Sequence, residues 1–521
     1  MRSSGDREEV REDALTARVG DQVRARPRWP GRTPVAAALA AVAAGGVLAT
    51  WGLNSGLPYL FRPDEDVLVG RSVRMAAAGS LDPLFANWPP LAFYIVAGAE
   101  KLTGNLGGAT LGDPSGAYLT ARVLSAAAFV ATIALVFVAA RKAYGDAAAV
   151  IAAFAMALAP LAVRQAHMAT IDFIQTAFVA AALMAALRAR SARAFAVAGA
   201  MCGLAAATKY TGGLSIVFVL AMAMQSGQRT RMVSASAAGA AVAFAIPSSV
   251  TLAHAGAYAS GLAFLGGRGF AQDYGTPPGW VYHTTVSLPF GMGLGAYALV
   301  LGGLAMSAVT RAKSDAALLA FVAAYMLVVG ASHEVFWRYV LPALPALALL
   351  AGGLVRAIPR RLRALGVALA LAMLLPSLWA SVNTDRLLAT TDTRVQAGDW
   401  LLEHAPDGAT IETPYYVGPF YDQAMVDDNR RWVDDELAAG FLQGRYTTRF
   451  RLNVDDPDYV IAGSSLPGQD PPATVAGRPA LATFSPGRGG GIYDPIDAFY
   501  LPIWGFAGLE RPGPSIVIYG H

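Results

Sequence analysis

The chain has a single cysteine in 521 residues, Cys202, and it lies inside an apolar run. That excludes a disulfide framework and a thiolate metal cage. Histidine is scarce, with six residues, and only 15% of the chain is charged against 55% hydrophobic. Lysine is scarcer still, so the basic residues are almost all arginine. A soluble protein of this length could not hide so much apolar surface in one core, and the mean hydropathy is +0.43. The net charge of +4 is small and its basic residues stand in short clusters. They read as a membrane-topology signal and not as a nucleic-acid surface. What the chain does have is a series of uncharged runs of about 20 residues, the length that spans ~30 Å of hydrocarbon at ~1.5 Å per helical residue.

The runs predict about eleven transmembrane helices, at 34–52, 117–140, 146–163, 170–187, 194–210, 212–226, 233–253, 284–309, 315–332, 338–355 and 363–381. The pair 194–210 and 212–226 also reads as one long kinked hairpin. With eleven spans, the Arg-rich segment before residue 33 and the clusters at Arg141–Lys142, Arg188/Arg190/Arg193, Arg229/Arg231, Arg311/Lys313 and Arg356/Arg360/Arg361/Arg363 all fall on one side. The positive-inside rule makes that side cytoplasmic. Three domains follow: a cytoplasmic disordered tail (1–33), a transmembrane module (34–381) with a long first loop (53–116), and an extracytoplasmic α/β domain (382–521). In the first loop, Val67–Ala78 is expected as an amphipathic helix with Arg71 and Arg74 on its polar side, and Pro90–Leu102 as a second helix near the interface. In the tail, Tyr459–Ala462 and Ser515–Tyr519 are strand-like.

Four constellations carry possible chemistry, all on the non-cytoplasmic side. Asp64-Glu65-Asp66 follows the first span. Carboxylates against a bilayer are costly to desolvate, and one at the interface can take a proton from an acceptor hydroxyl or amine; the alternative is a solvated turn. In Arg164–Asp172, Asp172 opens an apolar helix and is either a site residue or a helix cap. His167 is a proton carrier, a metal ligand or a hydrogen-bonded structural residue. Lys209, in Thr208-Lys209-Tyr210, either snorkels or offers a point charge to a lipid phosphate. In His333–Pro342, Arg338 can grip a phosphate bidentately and Tyr339 can meet a sugar; the plainer account is an interfacial Trp–Arg–Tyr belt. The loop segment Arg268–Gly275 is a candidate lid.

Together these motifs resemble the bacterial branch of the GT-C glycosyltransferases, in the superfamily of protein O-mannosyltransferases and lipid A aminoarabinose transferases (glycosyltransferase family 39-like). The resemblance rests on Asp64-Glu65, Val67–Ala78, Trp88-Pro89-Pro90-Leu91, Arg164…Asp172, Thr208-Lys209-Tyr210 and Arg338-Tyr339…Pro342. In the tail it rests on Asp392-Thr393-Arg394…Trp400, Asp456–Val460 and Ile516–Tyr519. It implies a GT-C membrane protein that moves a sugar, with inversion, from a polyprenyl-phosphate donor to an envelope glycan, lipid or protein acceptor, on the outer face of the cytoplasmic membrane. It implies Asp64 as general base, Glu65 and Asp172 positioning acceptor or sugar, and Lys209, Arg338 and Tyr339 at the donor phosphate. Arg71, Trp88, His167, Tyr210 and His333 would line the substrate. No cofactor is obligatory in that branch, though Asp66 beside Asp64, with His167, keeps a divalent cation open. Two departures stand out. Trp88 occupies the place of a Lys in the aminoarabinose transferases, and the β-trefoil of the eukaryotic mannosyltransferases is absent. The competing classes are a polyprenyl-linked substrate flippase, which would place charges at the bilayer midplane, and a non-catalytic envelope-assembly protein, which would tolerate loss of Asp64.

Overall fold

The computed structural model describes residues 33–57, 62, 64–104, 115–271, 275–413, 450–452, 455–464, 474–475, 477–494, 496 and 499–520. The expected N-terminal tail, but for Thr33, lies outside the described residues, as do positions 272–274 of the expected lid.

Each expected apolar run falls on helix. The bundle comprises α1 (Thr33–Thr50), α4 (Ser115–Tyr144), α5 (Asp146–Ala157), α6 (Pro160–Ala166), α7 (Ile171–Arg188), α8 (Ala192–Thr208), α9 (Ile216–Met224), α10 (Arg229–Ala245), α12 (Leu294–Thr310), α13 (Lys313–Gly330), α14 (Leu344–Gly353), α15 (Arg363–Met373) and α16 (Leu375–Leu388). Among the described residues, six helices are long and apolar enough to cross a membrane, or up to eight if each bent pair is one span. One bend, of 56°, separates α5 from α6, where Pro160 restarts the helix; the other, of 115°, precedes α12 at Gly293, whose φ is +85°. Prolines and glycines at breaks account for both. Residues 192–224 form two short apolar helical segments, where the runs 194–210 and 212–226 are expected. Lys209 is a single extended residue between them (φ −153°, ψ 131°), and a 3₁₀ turn, Tyr210–Ser215, leads into α9. Helices α8 and α10 cross at Gly199 and Gly203, where a Cβ would strike the backbone of Ser236 and Ala240. Small residues permit such close crossings in membranes.

Helix α4 acts as a ruler. Near its start Arg122 meets Glu65, and at its end Tyr144 meets Asp315. Those positions are separated by ~33 Å at the helical rise, close to the hydrocarbon thickness. Polar networks thus mark the two ends, and the wall between them is Ala, Val, Leu, Ile and Phe.

The first loop forms the two expected helices, α2 (Glu65–Ala78) and α3 (Leu91–Thr103), which share an apolar core of Leu68, Val69, Val73, Phe93 and Val96. The expected polar side of α2 is not solvent-facing. Arg71 and Arg74 are buried because the turn after α2 folds over them. Arg71 donates to the carbonyls of Pro83 and Leu84, and Arg74 to that of Asp82.

Helix α16 runs through the expected domain boundary at 381/382 to Leu388, and α17 (Thr393–His404) follows. The tail then builds a six-stranded sheet from β1 (Thr410–Glu412), β2 (Arg451–Leu452), β3 (Tyr459–Ser464), β4 (Thr474–Val475), β5 (Arg478–Phe484) and β6 (Ser515–Gly520), in the order β2-β1-β3-β6-β5-β4. The two strands legible in the sequence, β3 and β6, pair antiparallel at its centre, while β1 pairs parallel with β2 and β3. Ala397 and Leu401 of α17 pack on Ile411, Ile461, Ile516 and Ile518 of this sheet. A second surface joins the tail to the bundle: Phe499, Leu501, Phe506 and Leu509 share a core with Met168, Ala380, Leu387 and Leu388.

Candidate active site

Asp64 sits before α2 in the left-handed region, φ 68°. Asp is among the few non-glycine residues that tolerate this conformation, and such outliers gather at functional sites. Its side chain does not cap the helix. It reaches instead across 274 positions of sequence to Arg338, with Oδ2 accepting from Nη2 at 2.6 Å. Asp64 is 32% exposed and Arg338 only 7%. The guanidinium also stacks on Phe336, 4.3 Å from the ring centroid.

A second pair lies alongside. Lys209 Nζ donates to Asp172 Oδ1 at 2.8 Å and stands 5.2 Å above the Tyr339 ring. The local folding explains both placements. Lys209 occupies the extended break between α8 and the 3₁₀ turn, so its side chain leaves the helix face. Asp172 is on the first turn of α7, where Gln165 Nε2 also approaches its other oxygen at 3.4 Å. Arg338 is near enough to act electrostatically on Asp172 as well. Asp64, Asp172, Lys209, Arg338 and Tyr339, expected from four separate motifs, therefore form one constellation of two carboxylates, two cations and a phenol. The Tyr339 hydroxyl donates to Glu334 at 2.8 Å, and Glu334 pairs with Arg268 at 2.5 Å. Arg268 belongs to α11 (Ala255–Phe270), whose Gly269 carbonyl accepts from the His333 and Ser332 side of the turn.

Other expected site residues lie apart from this group. Glu65 turns inward and forms a two-point pair with Arg122 (2.9 and 2.7 Å), and it accepts the Ala169 N–H at 2.8 Å. Burial alone would raise its pKa, but Arg122 and Arg62 outweigh that and hold it below the usual carboxylate range. Its neighbour Asp66 is buried without such a cation. Burial first, then the charge of Asp64, push it up to about 7. His167 is fully buried between the carbonyls of Val163 (2.8 Å) and Trp51 (3.1 Å), and burial pulls it down to about 4 despite those acceptors. Arg71 and Trp88 organise the first loop: Arg71 stacks on Phe85, and Trp88 stacks with Phe93. Tyr210 directly follows Lys209, and His333 is exposed at the turn beside α11. Among the described residues no three His, Cys, Asp or Glu side chains group as a metal site, so Asp64, Asp66 and His167 are not assembled into one.

Several participants were not anticipated. Arg122 lies inside an expected span, and a lone intramembrane arginine is itself a signal for a buried partner. Asp494 of the tail accepts the Trp337 N–H at 2.7 Å and so holds the turn that carries Arg338. Phe499 stacks on both Arg62 (5.0 Å) and Arg164 (4.5 Å). No short-range pattern announces these, because the contacts join distant parts of the chain.

Known proteins bear on this arrangement. ArnT from Cupriavidus metallidurans, bound to undecaprenyl phosphate, superposes with a TM-score of 0.50 at 17% identity, over 78% of this chain and 76% of its own. The chain has the GT-C fold. Oligosaccharyltransferase from Archaeoglobus fulgidus, tethered to an acceptor peptide containing the NVT sequon, also gives 0.50 at 13% identity, over 83% of this chain and 69% of its own. Residues 87–253 of this GT-C chain match the dolichyl-phosphate-mannose-protein mannosyltransferase family. That segment runs from within the first loop, just before α3, to residue 253 beyond α10, and contains Asp172 and Lys209 but neither Asp64 nor Arg338. No curated protein matches the sequence.

Proposed function

We propose that this GT-C protein is an inverting glycosyltransferase of the cytoplasmic membrane. It moves a sugar from a polyprenyl-phosphate donor to an envelope glycan, lipid or protein at the extracytoplasmic face. The observation that carries the reading is the pairing of Asp64 with Arg338 next to Lys209 and Asp172. Lys209 and Arg338 bind the donor phosphate, with Tyr339 beside them. When the phosphate takes Arg338, Asp64 is released from its ion pair and accepts the proton of the acceptor O–H or N–H. The acceptor atom bonds to the anomeric carbon as the bond from that carbon to the phosphate oxygen breaks. The charge left on the polyprenyl phosphate is met by the two cations. Asp172 keeps Lys209 directed at this point. The bound undecaprenyl phosphate of the Cupriavidus ArnT and the acceptor peptide of the Archaeoglobus oligosaccharyltransferase are consistent with a lipid-linked donor and a separate acceptor here.

The test is Asp64→Asn at unchanged expression, with transfer of radiolabelled sugar from membrane-bound polyprenyl-phosphate donor. The rate is expected to fall about 10²- to 10⁴-fold, the range for loss of a positioned base. Transfer at the wild-type rate would remove the catalytic assignment.

A further inference from the structure

Around the 3₁₀ turn that follows Lys209 lie three phenols whose hydroxyl oxygens are buried and make no hydrogen bond of ordinary geometry among the described residues: Tyr94, Tyr210 and Tyr258. They come from three elements. Tyr94 is on α3 of the first loop, Tyr210 opens the 3₁₀ turn next to Lys209, and Tyr258 is on α11. The elements are packed together. Helix α3 contacts α8, and Gly261, one turn beyond Tyr258, sits so close to the Ala86 carbonyl and the Asn87 side chain that a Cβ would clash. Residues three apart share a helix face, so Tyr258 faces the same way as Gly261, toward the first loop. Tyr258 acts electrostatically on both Tyr94 and Tyr210. The Thr251 hydroxyl acts on Tyr258 as a weak hydrogen-bonding neighbour, yet the two do not meet in a bond of ordinary geometry and both are buried.

A buried hydroxyl without a partner is costly, and a native protein rarely keeps one without a reason. Three in one place, each both donor and acceptor, suit a ligand that presents several hydroxyls of its own. A pyranose or furanose ring is such a ligand, and the phenyl faces would cover its C–H surface. Tyr210 follows Lys209 in the chain. The turn that carries Tyr210 thus adjoins the proposed phosphate contact.

We propose that Tyr94, Tyr210 and Tyr258 line the subsite for the transferred sugar, whose hydroxyls become the partners these phenols lack. This rests on the reading of the protein as a sugar transferase and adds to it the residues that recognise the neutral ring. Specificity by hydrogen bonds to buried hydroxyls discriminates strongly, because a donor lacking the matching group leaves the phenol unpaired.

The experiment uses the full chain in nanodiscs. Affinity is measured for undecaprenyl phosphate and for undecaprenyl-phosphate-mannose, -glucose and -arabinose. The ratio of sugar-bearing to bare lipid affinity isolates the ring's contribution. At least one sugar is expected to bind several-fold tighter than the bare lipid. Tyr94→Phe, Tyr210→Phe and Tyr258→Phe should each lower that ratio about threefold to tenfold, and the triple variant should bring it to about one, with bare-lipid affinity unchanged. The proposal is overturned if no sugar is preferred by the wild type, if the triple variant keeps the ratio, or if the variants weaken bare lipid equally. Occupancy by water alone would appear as an unchanged ratio with unchanged or higher melting temperatures, and counts against it. Transfer by the wild type is assayed in parallel. Without transfer from any donor the catalytic reading fails whatever the ratios; with transfer and an unchanged ratio only the subsite fails.

Discussion

The region around Glu65 is sealed, and the region one residue earlier, around Asp64, is open. Glu65 and Arg122 are 3% and 1% exposed, share two hydrogen bonds, and have their remaining groups bonded to backbone: Arg122 to the Leu53 and Ser55 carbonyls, Glu65 to the Ala169 N–H. Asp64 and Arg338 pair through Oδ2 and Nη2, with Asp64 one-third exposed and held in a left-handed backbone conformation. A saturated buried pair has nothing left to offer a ligand. A half-open pair, one of whose members is partly exposed, can exchange its partner for one. Adjacent carboxylates therefore separate into a structural and a reactive role because the chain reverses direction between them: the residue that begins α2 points into the bundle and the one before it points out.

The largest expected effect tests the sealed side. Glu65→Ala leaves Arg122 charged and unpaired in a dry site and frees the Ala169 N–H, so thermal unfolding of the purified protein should show a loss of about 3–5 kcal/mol. Asp64→Asn should change stability by no more than ~1 kcal/mol, since Asp64 is one-third exposed and the amide keeps an oxygen to accept from Arg338, while removing transfer. Equal melting-temperature losses in the two variants would erase the distinction.

An intermediate effect is expected from the tail. Asp494 joins the open region to the C-terminal sheet: its Oδ2 accepts the Trp337 N–H and its Oδ1 that of Ile496, and Arg338 is the next residue after Trp337. Asp494→Ala orphans a buried N–H, at a cost of ~1–3 kcal/mol. It also loosens the turn that aims Arg338, so kcat/KM for transfer should drop roughly tenfold, a little over 1 kcal/mol. Asp494→Asn keeps an accepting oxygen and should restore most of that rate. Failure of the amide to rescue would mean that the charge of Asp494, and not its hydrogen bond, matters.

The same contrast explains what was legible in the sequence. Run length located the apolar helical segments, and short strand-like runs located β3 and β6, because those signals are local. Clustering of Asp64, Asp172, Lys209 and Arg338 followed from sorting charges onto one side of the expected bilayer. Residues whose role depends on a distant partner stayed hidden. Arg122 lies within an apolar run, Asp494 within a polar tail, and Arg71, expected on the polar side of α2 as a substrate contact, is covered by the Pro83–Leu84 turn. The two short segments at 192–224 match the runs expected at 194–210 and 212–226; what the sequence does not show is the extended Lys209 that breaks them and pairs with Asp172.

The smallest expected effect concerns Asp66, which stands between the two behaviours: buried like Glu65, yet without a cation bonded to it among the described contacts, and pressed by the charge of Asp64. Its pKa, raised from 3.8 to about 7, means that the folded protein holds a proton the unfolded chain has released across that interval. Stability contributed by this group is therefore complete below about pH 4 and declines as pH rises toward 7, then levels off. Glu65 acts with the opposite sign, its contribution disappearing only as pH falls below the usual carboxylate range. Melting temperature measured from pH 2 to 8 should show, above pH 4, a declining limb that Asp66→Asn flattens while leaving the acid limb below it in place. Because repulsion from Asp64 is the second cause of the shift, Asp64→Asn should move the end of that limb to lower pH without abolishing it. A limb that survives in Asp66→Asn belongs to another group, and Asp66 would then be ionised beside Asp64, giving the open region two negative charges where a neutral carboxyl leaves it one.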